Sequence, residues 1–416
     1  MRYVLCALLL ATSLRAATLP AGFSETTVAS GLSSPTAMAL APDGRIFVCE
    51  QGGALRVVRN GSLLPTPFVT VTTTATGERG LLGVAIDPDF LTNRFIYVYY
   101  TATTPSIHNR ISRFTASGDT AAAGSEAILL ELENLSATNH NGGALHFGRD
   151  GKLYASVGEN AVPSNSQTLA NKLGKILRIN KDGSIPSDNP FFNSATGTNR
   201  SIWALGLRNP FTFNVHPNSG RIFINDVGQS AFEEINEGIA GANYGWPTTE
   251  GPTSDPSFRG PVHHYANQNA PECAIAGGVF YAPEVRQFPG GYVESYFFQD
   301  LCGGWIRTLD QQFSANGFAT GLSSPVDILV GHDGSLHYLQ RGSGLLRRVA
   351  WNQHLEGDVN ADGAVNNADA FYLIHHFQNG GPAPVQGGDV DNNGSLTLAD
   401  LDYLIAYLLG RGATPL

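Results

Sequence analysis

Oxygen-bearing side chains recur at fixed spacing in two stretches near the C-terminus, "DVNADGAVNNAD" and "DVDNNGSLTLAD". They fall at loop positions 1, 3, 5, 9 and 12, with glycine at position 6 and a backbone carbonyl at position 7, which is the calcium-loop spacing of EF-hands. Hard oxygens suit a hard cation, and glycine allows the sharp turn. The predicted ligands are Asp358, Asn360, Asp362, Ala364, Asn366 and Asp369 in the first loop, and Asp389, Asp391, Asn393, Ser395, Thr397 and Asp400 in the second.

Each loop runs directly into an amphipathic helical pattern, "ADAFYLIHHF" and "ADLDYLIAYLL". A solvated, Asx-rich turn could produce one such loop by chance. Two tandem copies with matching helices favour calcium instead, one ion in each loop. We therefore expect a small α-helical domain with paired calcium loops over residues 357–411.

Polar motifs also interrupt the apolar segments of the larger, N-terminal part of the chain. "NHNGG" places His140 among asparagine and glycine, where an imidazole can take a proton from a hydroxyl. "LRNP" pairs Arg208 with Asn209, and a guanidinium beside an amide suits an acidic, carbonyl-rich ligand. The turn "DVGQ" can present the carbonyls of Gly228 and Gln229 to a cation. Each motif taken alone is equally compatible with a structural turn.

Two adjacent carboxylates, Glu233 and Glu234, raise the question of glycoside hydrolysis. That reaction needs two carboxylates that face each other, whereas neighbours on a strand point to opposite faces. A hydrolase is therefore disfavoured, and the pair is interpreted as a solvated face or a structural pair.

A repeated pattern of strands and turns defines the fold of this larger part. The string "GLSSP" occurs at residues 31–35 and 321–325, each time followed by an apolar strand, an Asp-Gly turn, a second strand and a Gly-rich turn. Related copies are "ALHFGRDGKLYASVG" and "FNVHPNSGRIFINDVG". Recurrent four-stranded meanders predict an all-β fold, and blades of about 40 to 55 residues give six to eight of them. We expect a six-bladed β-propeller over residues 18–352; a β-sandwich explains the repeated turns less well.

The N-terminal sequence "MRYVLCALLLATSLRA" has a basic residue, an apolar run and a small-residue exit. It predicts a secretory signal peptide over residues 1–17 and hence a secreted, periplasmic or extracellular, protein. The run is too short to span a bilayer, and no later segment is long enough. A formal charge of −10 without any basic run disfavours nucleic acid and anionic membranes as partners.

Removal of the signal peptide with Cys6 would leave three cysteines, enough for one disulfide and one free thiol. Cys273 and Cys302 lie close enough in sequence to bridge neighbouring strands, so a disulfide is predicted between them. Cys49 lies in the strand-like "RIFVCEQ" and is predicted to be a small buried hydrophobe.

The segments "ERGLLGVAIDPDF", "NHNGGALHFGRDGKLY", "LRNPFTF", "DVGQSAFEEIN" and "NYGWP", in this order, resemble the soluble quinoprotein glucose/sorbosone dehydrogenase family. The resemblance implies a six-bladed propeller that binds pyrroloquinoline quinone (PQQ) and Ca²⁺ and oxidises an aldose or related sugar, passing electrons to an external acceptor. It implies that His140 is the base and that Arg208 and Asn209 bind the quinone. The carbonyls of Gly228 and Gln229 would bind the propeller's calcium.

The chain departs from the family pattern at several of these positions. Glu78 replaces a quinone-contacting glutamine, and Asn139 replaces the acidic residue before the base, so the group that orients the imidazole is expected to lose its charge. Cys302 stands in place of a lysine, while Ser324 and Val326 stand in place of two arginines. Fewer cations around a tricarboxylate weaken the expected binding, since charge-assisted hydrogen bonds are worth about 1.5–3 kcal/mol each. These departures, with the cysteine pair, also resemble the propeller of Hedgehog-interacting proteins, which act by binding.

The duplicated loop-helix unit over residues 357–410 resembles a type I dockerin, with Asp at position 12 of each loop. The resemblance implies two bound Ca²⁺ ions and a cohesin-bearing scaffold as partner. Recognition residues would lie at positions 367–368 and 398–399, which differ between the copies and disfavour symmetric binding. The alternatives to a sugar dehydrogenase are therefore a non-catalytic propeller that binds a glycan or protein, and an accessory protein of polysaccharide breakdown that the tail brings to an assembly.

Overall fold

A computed structural model describes residues 16–267, 271–352, 357–360, 365–384 and 387–415. The chain divides between Ala350 and Trp351 into two compact units. The predicted signal peptide lies outside the described residues except for its last two positions, and Asp362 and Ala364 lie outside them too. Within the described ranges, no helix has the length and apolar character needed to cross a membrane.

The larger unit consists of six antiparallel sheets, numbered here as blades 1 to 6. The first strand, β1 (Phe23–Ala29), belongs to blade 6. Blade 1 contains β2 (Pro35–Leu40), β3 (Ile46–Glu50), β4 (Ala54–Arg59), β5 (Ser62–Leu63) and β6 (Val69–Thr70). Blade 2 contains β7 (Leu81–Ile86), β8 (Phe95–Ala102), β9 (His108–Ser117), β10 (Thr120–Ala121) and β11 (Ala127–Asn134), with a short helix, α1 (Phe90–Asn93), between its first two strands.

The remaining blades follow the same order along the chain. Blade 3 contains β12 (Leu145–Phe147), β13 (Leu153–Val157), β14 (Lys175–Ile179) and β15 (Ile202–Leu205). Blade 4 contains β16 (Pro210–Val215), β17 (Ile222–Asp226), β18 (Phe232–Gly238) and β19 (His263–Ala266). Blade 5 contains β20 (Ile275–Phe280), β21 (Tyr296–Asp300), β22 (Trp305–Leu309) and β23 (Ala315–Thr320). Blade 6 contains β24 (Pro325–Val330), β25 (Leu336–Gln340) and β26 (Leu345–Trp351), which pairs with β1.

The blades close into a ring, and the predicted six-bladed propeller is confirmed. The innermost strands β2, β7, β12, β16, β20 and β24 contact one another in turn, and β24 contacts β2. Because β1 forms the outer edge of blade 6, the chain's first strand completes its last blade. Closure leaves no inner sheet edge open to another chain.

The repeated Asp-Gly turns explain how similar sequences build several blades. At residues 43–44, 150–151 and 333–334 the glycine has a φ of +85°, +70° and +77°, a left-handed conformation that suits glycine. In each turn the aspartate Oδ1 accepts the backbone N–H two residues later, at 3.2, 3.1 and 3.0 Å. This local geometry returns the second strand of a blade against its first.

The propeller axis carries one cavity at each end of the innermost strands. The cavity at the ends of these strands is about 410 Å³ and mostly apolar, with His146 and His332 among its lining residues. The cavity at their starts is about 230 Å³ and is called the upper cavity below. Two of the predicted site residues, Glu78 and Asn209, line the upper cavity.

The smaller unit contains two helices, α2 (Asn367–Asn379) and α3 (Leu398–Leu408). Each begins with a capping box, in which Asn366 or Thr397 is the N-cap and the aspartate three residues later completes the box. The helices pack through a small apolar core that includes Leu373 and Leu404. The predicted helical tail is therefore confirmed.

We predict a pH-dependent stability from Asp327, a half-buried residue of β24 that accepts the backbone N–H of Met38 at 2.7 Å. Burial raises the pKa of this carboxyl from 3.8 to about 7. Between these values the unfolded chain has lost a proton that the folded protein keeps, so the free energy of unfolding falls as pH rises. In Asp327→Asn, the fall in the free energy of unfolding between about pH 4 and about pH 8 should be smaller than in wild type by roughly 2–4 kcal/mol, as measured by urea denaturation. Asp255→Asn, at an exposed site, is the control; an unchanged pH slope in Asp327→Asn would contradict the prediction.

Candidate functional site

His140 lies in the segment between β11 and β12 with a φ of +56°. This left-handed conformation is uncommon outside glycine and costs on the order of 1 kcal/mol. Glu78 Oε2 accepts the backbone N–H of His140 at 2.8 Å, and the His140 carbonyl accepts the N–H of Asn160 at 3.2 Å. These two contacts hold the backbone in the strained conformation.

The imidazole of His140 is oriented by a carboxylate. Its Nδ1 lies 2.6 Å from Oε1 of Glu159, whose side chain is only 1% exposed. The expectation that the orienting group has lost its charge at Asn139 is therefore wrong: Asn139 is half-buried, and Glu159 contributes the carboxylate. With Nδ1–H donating to Glu159, Nε2 is the nitrogen that can accept a proton, and it has no hydrogen-bond partner among the described residues.

Glu159 reaches His140 because Gly158 lets two segments approach closely. A Cβ on Gly158 would lie 2.3 Å from the His140 carbonyl oxygen and 2.8 Å from Asn209 Oδ1. The N–H of Glu159 donates to the Arg208 carbonyl at 2.9 Å. The motifs "NHNGG" and "LRNP" thus meet at residues 158–160, "GEN", although the three segments are separated in sequence.

Glu78 and Asn209 line the upper cavity, and His140, which is not itself a lining residue, contacts Glu78 through its backbone N–H. Glu78 Oε2 also accepts from Nδ2 of Asn209 at 3.3 Å, and Asn209 Oδ1 accepts the N–H of Gly142 at 3.1 Å. The other lining residues are mostly apolar, with Gln51 and Arg341 adding polar groups. The lining is Thr36, Gln51, Gly77, Glu78, Leu82, Asn209, Phe211, Val227, Ala274, Ile275, Ala276, Leu301, Val326 and Arg341.

Arg208 points away from the upper cavity. Its Nη1 donates to the carbonyls of Val227 and Gly228 at 3.0 and 2.7 Å, and its guanidinium lies 5.6 Å from the centre of the Trp246 ring. Its Nε is buried without a hydrogen-bond partner among the described residues. The guanidinium borders a small separate cavity of about 10 Å³, which Glu250 also lines. The structure thus separates the predicted Arg-Asn pair, with Asn209 in the upper cavity and Arg208 beside Gly228.

The turn after Gly228 is held by a single carboxylate oxygen. Oε1 of Glu250 accepts the backbone N–H groups of Gln229, Ser230, Ala231 and Phe232 at 2.8, 3.0, 3.0 and 3.3 Å. Gly228 is required here, because a Cβ would lie 1.8 Å from the Phe232 carbonyl oxygen. The carbonyls predicted to bind calcium therefore belong to a fixed turn.

Three buried carboxyl groups lie beneath this turn. Asp226 accepts the N–H groups of Arg208 and Asn209 at 2.9 and 2.7 Å, Glu233 accepts that of Ile275 at 2.9 Å, and Glu234 that of Gly251 at 2.5 Å. Burial raises the pKa of Asp226 and of Glu233 to about 7 and that of Glu234 to about 8. The interpretation of Glu233 and Glu234 as a solvated face is wrong, because both are buried and accept backbone N–H groups of other segments.

The positions where the family pattern expects cations are apolar or bonded in this structure. Cys302 forms a disulfide with Cys273, with Cα atoms 5.5 Å apart, and Cys49 is a free buried thiol as predicted. Val326 lines the upper cavity. Arg341, a cation that no motif of the sequence indicated, does line this cavity.

The second loop of the tail brings its acidic side chains together. Carboxylate oxygens of Asp389, Asp391 and Asp400 all lie within 4.8 Å of one another, an arrangement that suits a cation because like charges repel without one. Oδ1 of Asp400 accepts the N–H of Asp391 at 3.3 Å. In the first loop, Asp369 Oδ1 accepts the N–H of Asn360 at the same distance, so the two loops share this part of their geometry.

Comparison with known proteins assigns the class that this fold and site define. Residues 32–302 match the Glucose / Sorbosone dehydrogenase family, and the chain belongs to this family. Residues 356–409 match the Dockerin type I domain. The resemblances seen in the sequence are therefore confirmed.

Three curated relatives show how far the similarity extends. Quinoprotein glucose dehydrogenase B of Acinetobacter calcoaceticus is 32% identical over 278 residues, covering 60% of this chain and 56% of that protein. Aldose sugar dehydrogenase YliI of Escherichia coli (strain K12) is 32% identical over 237 residues, covering 55% and 62%. Hedgehog-interacting protein of Mus musculus is 30% identical over 213 residues, covering 44% and 30%. The chain thus spans little more than half the length of the first two relatives and under a third of the last.

Solved structures match the propeller closely. The apo form of soluble Aldose sugar dehydrogenase (Asd) from Escherichia coli superposes with a TM-score of 0.71 at 27% identity, covering 79% of this chain and 99% of that one. The PQQ-bound form of Aldose Sugar Dehydrogenase (Adh) from Streptomyces coelicolor gives 0.65 at 25% identity, covering 80% and 99%.

We predict that Glu250 stabilises the 228–232 turn. Burial acts to raise the pKa of Glu250, but the backbone N–H groups outweigh it and lower the pKa. Glu250→Ala should reduce the free energy of unfolding by about 1–2 kcal/mol at neutral pH, because four donors lose a charged acceptor that is half-exposed. The deficit should shrink as pH falls through the folded-state pKa, where wild type loses the same anion. Urea denaturation from pH 7 downward, with exposed Glu284→Ala as control, tests this; equal stability of Glu250→Ala and wild type at pH 7 would refute it.

Proposed function

We propose that the propeller binds PQQ in the upper cavity and oxidises an aldose or related sugar, with His140 as the base. The observation that carries this proposal is the His140 imidazole: Glu159 fixes its Nδ1 and leaves Nε2 without a partner among the described residues, and its backbone N–H is bound by Glu78, which lines the cavity. Membership of the Glucose / Sorbosone dehydrogenase family supports it, as does the PQQ-bound structural relative.

The residues of the upper cavity fit a flat, acidic cofactor. Leu82, Phe211 and Ile275 supply apolar surface for a ring system, and Asn209 with Arg341 supplies donors for carbonyl and carboxylate oxygens. Oε2 of Glu159, beside His140, is buried without a hydrogen-bond partner among the described residues. This acceptor is therefore available to a ligand or a water molecule.

Bound PQQ would supply the two-electron acceptor for a hydride from the sugar carbon, chemistry that no side chain provides. His140 Nε2 takes the proton of the hydroxyl on that carbon, so the C–O single bond becomes a carbonyl. Glu159 stabilises the resulting imidazolium and keeps the ring in the correct tautomer. Glu78 holds the His140 backbone and the Asn209 amide in place, and an external acceptor later removes the electrons.

We place the propeller's calcium at the carbonyls of Gly228 and Gln229, as proposed from the sequence. In the structure the Gly228 carbonyl accepts from Arg208. A cation at this oxygen therefore competes with the Arg208 contact and releases that guanidinium to bind an acidic ligand. Calcium and Arg208 would thus act together.

For the tail, we propose two calcium ions, one in each loop, and docking to a cohesin-bearing scaffold. The convergence of Asp389, Asp391 and Asp400 supports the second site, and the equivalent aspartates and capping boxes support the first. We also propose export from the cell, which the signal-peptide pattern predicts; the disulfide supports this proposal, because disulfides persist in oxidising compartments.

The competing function is a propeller that binds a partner without redox chemistry. The similarity to Hedgehog-interacting protein favours it. So do the apolar Val326 and the bonded Cys302 at positions where the family pattern has cations.

Reconstitution of the full chain distinguishes the two functions. We predict that dye reduction needs PQQ, Ca²⁺ and an aldose together, and that His140→Ala abolishes it. Glu159→Gln should lower kcat/KM by about 10²- to 10³-fold, because the base loses the anion that orients it. Glu131→Gln is the matched control, since Glu131 also lies near a histidine, His108 at 3.4 Å, but is half-exposed. Absence of dye reduction in every mixture, with PQQ bound or not, would favour the binding propeller.

We predict that calcium stoichiometry reports on each tail loop separately. Asp400→Asn should lower the number of ions bound per full chain by one, measured by calorimetric titration, because a position-12 carboxylate is lost. Asp402→Asn, two residues away and exposed on α3, should leave it unchanged. An unchanged stoichiometry in Asp400→Asn would exclude calcium from this loop.

A further inference from the structure

The upper cavity is bordered by residues that hold the same place in different blades. Gln51, Val227, Leu301 and Arg341 each follow the second strand of a blade, and all four side chains line the cavity. Each donates its backbone N–H to a residue just before the innermost strand of the same blade, at 3.0–3.1 Å for the first three and 2.9 Å for Arg341. Fold symmetry therefore fixes these positions, and Arg341 is the charged member of the four.

Arg341 is held in place by neutral oxygens. Its Nη1 donates to the Ser34 carbonyl at 3.0 Å, and its Nη2 donates to Oε1 of Gln51 at 2.5 Å. Gln51 in turn donates from Nε2 to the carbonyls of Gly77 and Arg79 at 2.7 and 2.8 Å. The guanidinium is thus connected to the loop that carries Glu78, and its position is set before any ligand arrives.

No anion neutralises this guanidinium within the ranges that the structure describes. None of their carboxylates lies within 4.0 Å of Arg341, and its side-chain hydrogen bonds all go to uncharged oxygens of Ser34, Pro35 and Gln51. Burial lowers the pKa of Arg341 without a compensating acidic neighbour. Glu78 lines the same cavity, but its Oε2 already accepts from His140 and Asn209. A guanidinium carries five N–H groups, so a half-buried one without a counter-ion can bind an incoming anion through the N–H groups that these contacts leave unused.

We infer that Arg341 is the anion-binding residue of the upper cavity and holds a carboxylate of the bound ligand. This inference rests on the proposed function for the identity of that ligand, PQQ, but the chemistry it assigns is broader: a flat ring that bears carboxylates. Arg341 then takes over, from another strand, a role that the family pattern gives to the positions of Ser324 and Val326. The binding site keeps a cation although its sequence motif is absent.

Calorimetric titration of the calcium-loaded full chain with PQQ is the first test. Arg341→Gln should raise the Kd for PQQ by about 10- to 100-fold, because one charge-assisted pair is lost. The Kd of Arg341→Lys should lie between those of wild type and Arg341→Gln. Arg348→Gln is the matched control in the same blade, since that guanidinium is already paired with Asp333 at 2.7 Å, and its Kd should equal wild type. An unchanged Kd in Arg341→Gln would overturn the inference while the proposed function stands.

A second pair of probes separates the inference from the proposed function. Benzene-1,3-dicarboxylate and benzene-1,3-dicarboxamide share a flat ring and differ in charge, and their binding to the full chain is measured by ligand-observed NMR. Wild type should prefer the dicarboxylate by about tenfold or more, and Arg341→Gln should lose this preference. If wild type binds no PQQ but shows this preference, the proposed function fails and the inference holds. If wild type shows no preference for the dicarboxylate, the inference fails.

Discussion

Closure of the six innermost strands into a ring is the constraint on which the other features of the propeller depend. The contact of β24 with β2 and the pairing of β1 with β26 bring residues from opposite ends of the sequence together. The contact between Gln51 and Arg341 spans 290 residues, and it exists only because the ring is closed. The upper cavity is therefore a product of the whole unit, and loss of one blade would remove its walls as well as its stability.

Local sequence patterns predicted the parts of the structure that local physics determines. The Asp-Gly turns fold back through a bond between residues two apart, and the "GLSSP" repeats therefore indicated blades before their arrangement was known. The two helices of the tail were predictable for the same reason, because each begins at a capping box formed by residues three apart. Cys49 was recognised as buried from its apolar strand.

Contacts between distant segments were not predictable in this way. Glu159 was missed as the partner of His140 because it is contributed by the end of β13, and only the close approach at Gly158 makes the contact. Arg208 was expected beside Asn209, but successive residues at a strand entrance diverge, and its guanidinium turns to Gly228. Arg341 carries no motif at all, since its role comes from its position in the ring.

The ring positions around the upper cavity have a consequence for how such propellers diversify. Gln51, Val227, Leu301 and Arg341 all lie just outside the strand ladders, so their side chains can change without loss of a ladder hydrogen bond. Four of the six blades each add one such side chain to the shared wall, and among these four only Gln51 and Arg341 are hydrogen-bonded to each other. The scaffold is modular in this respect: a charged side chain can be lost at one wall position and gained at another while the cavity persists. Redox and purely adhesive descendants can then arise from one architecture by exchange of a few side chains around the axis.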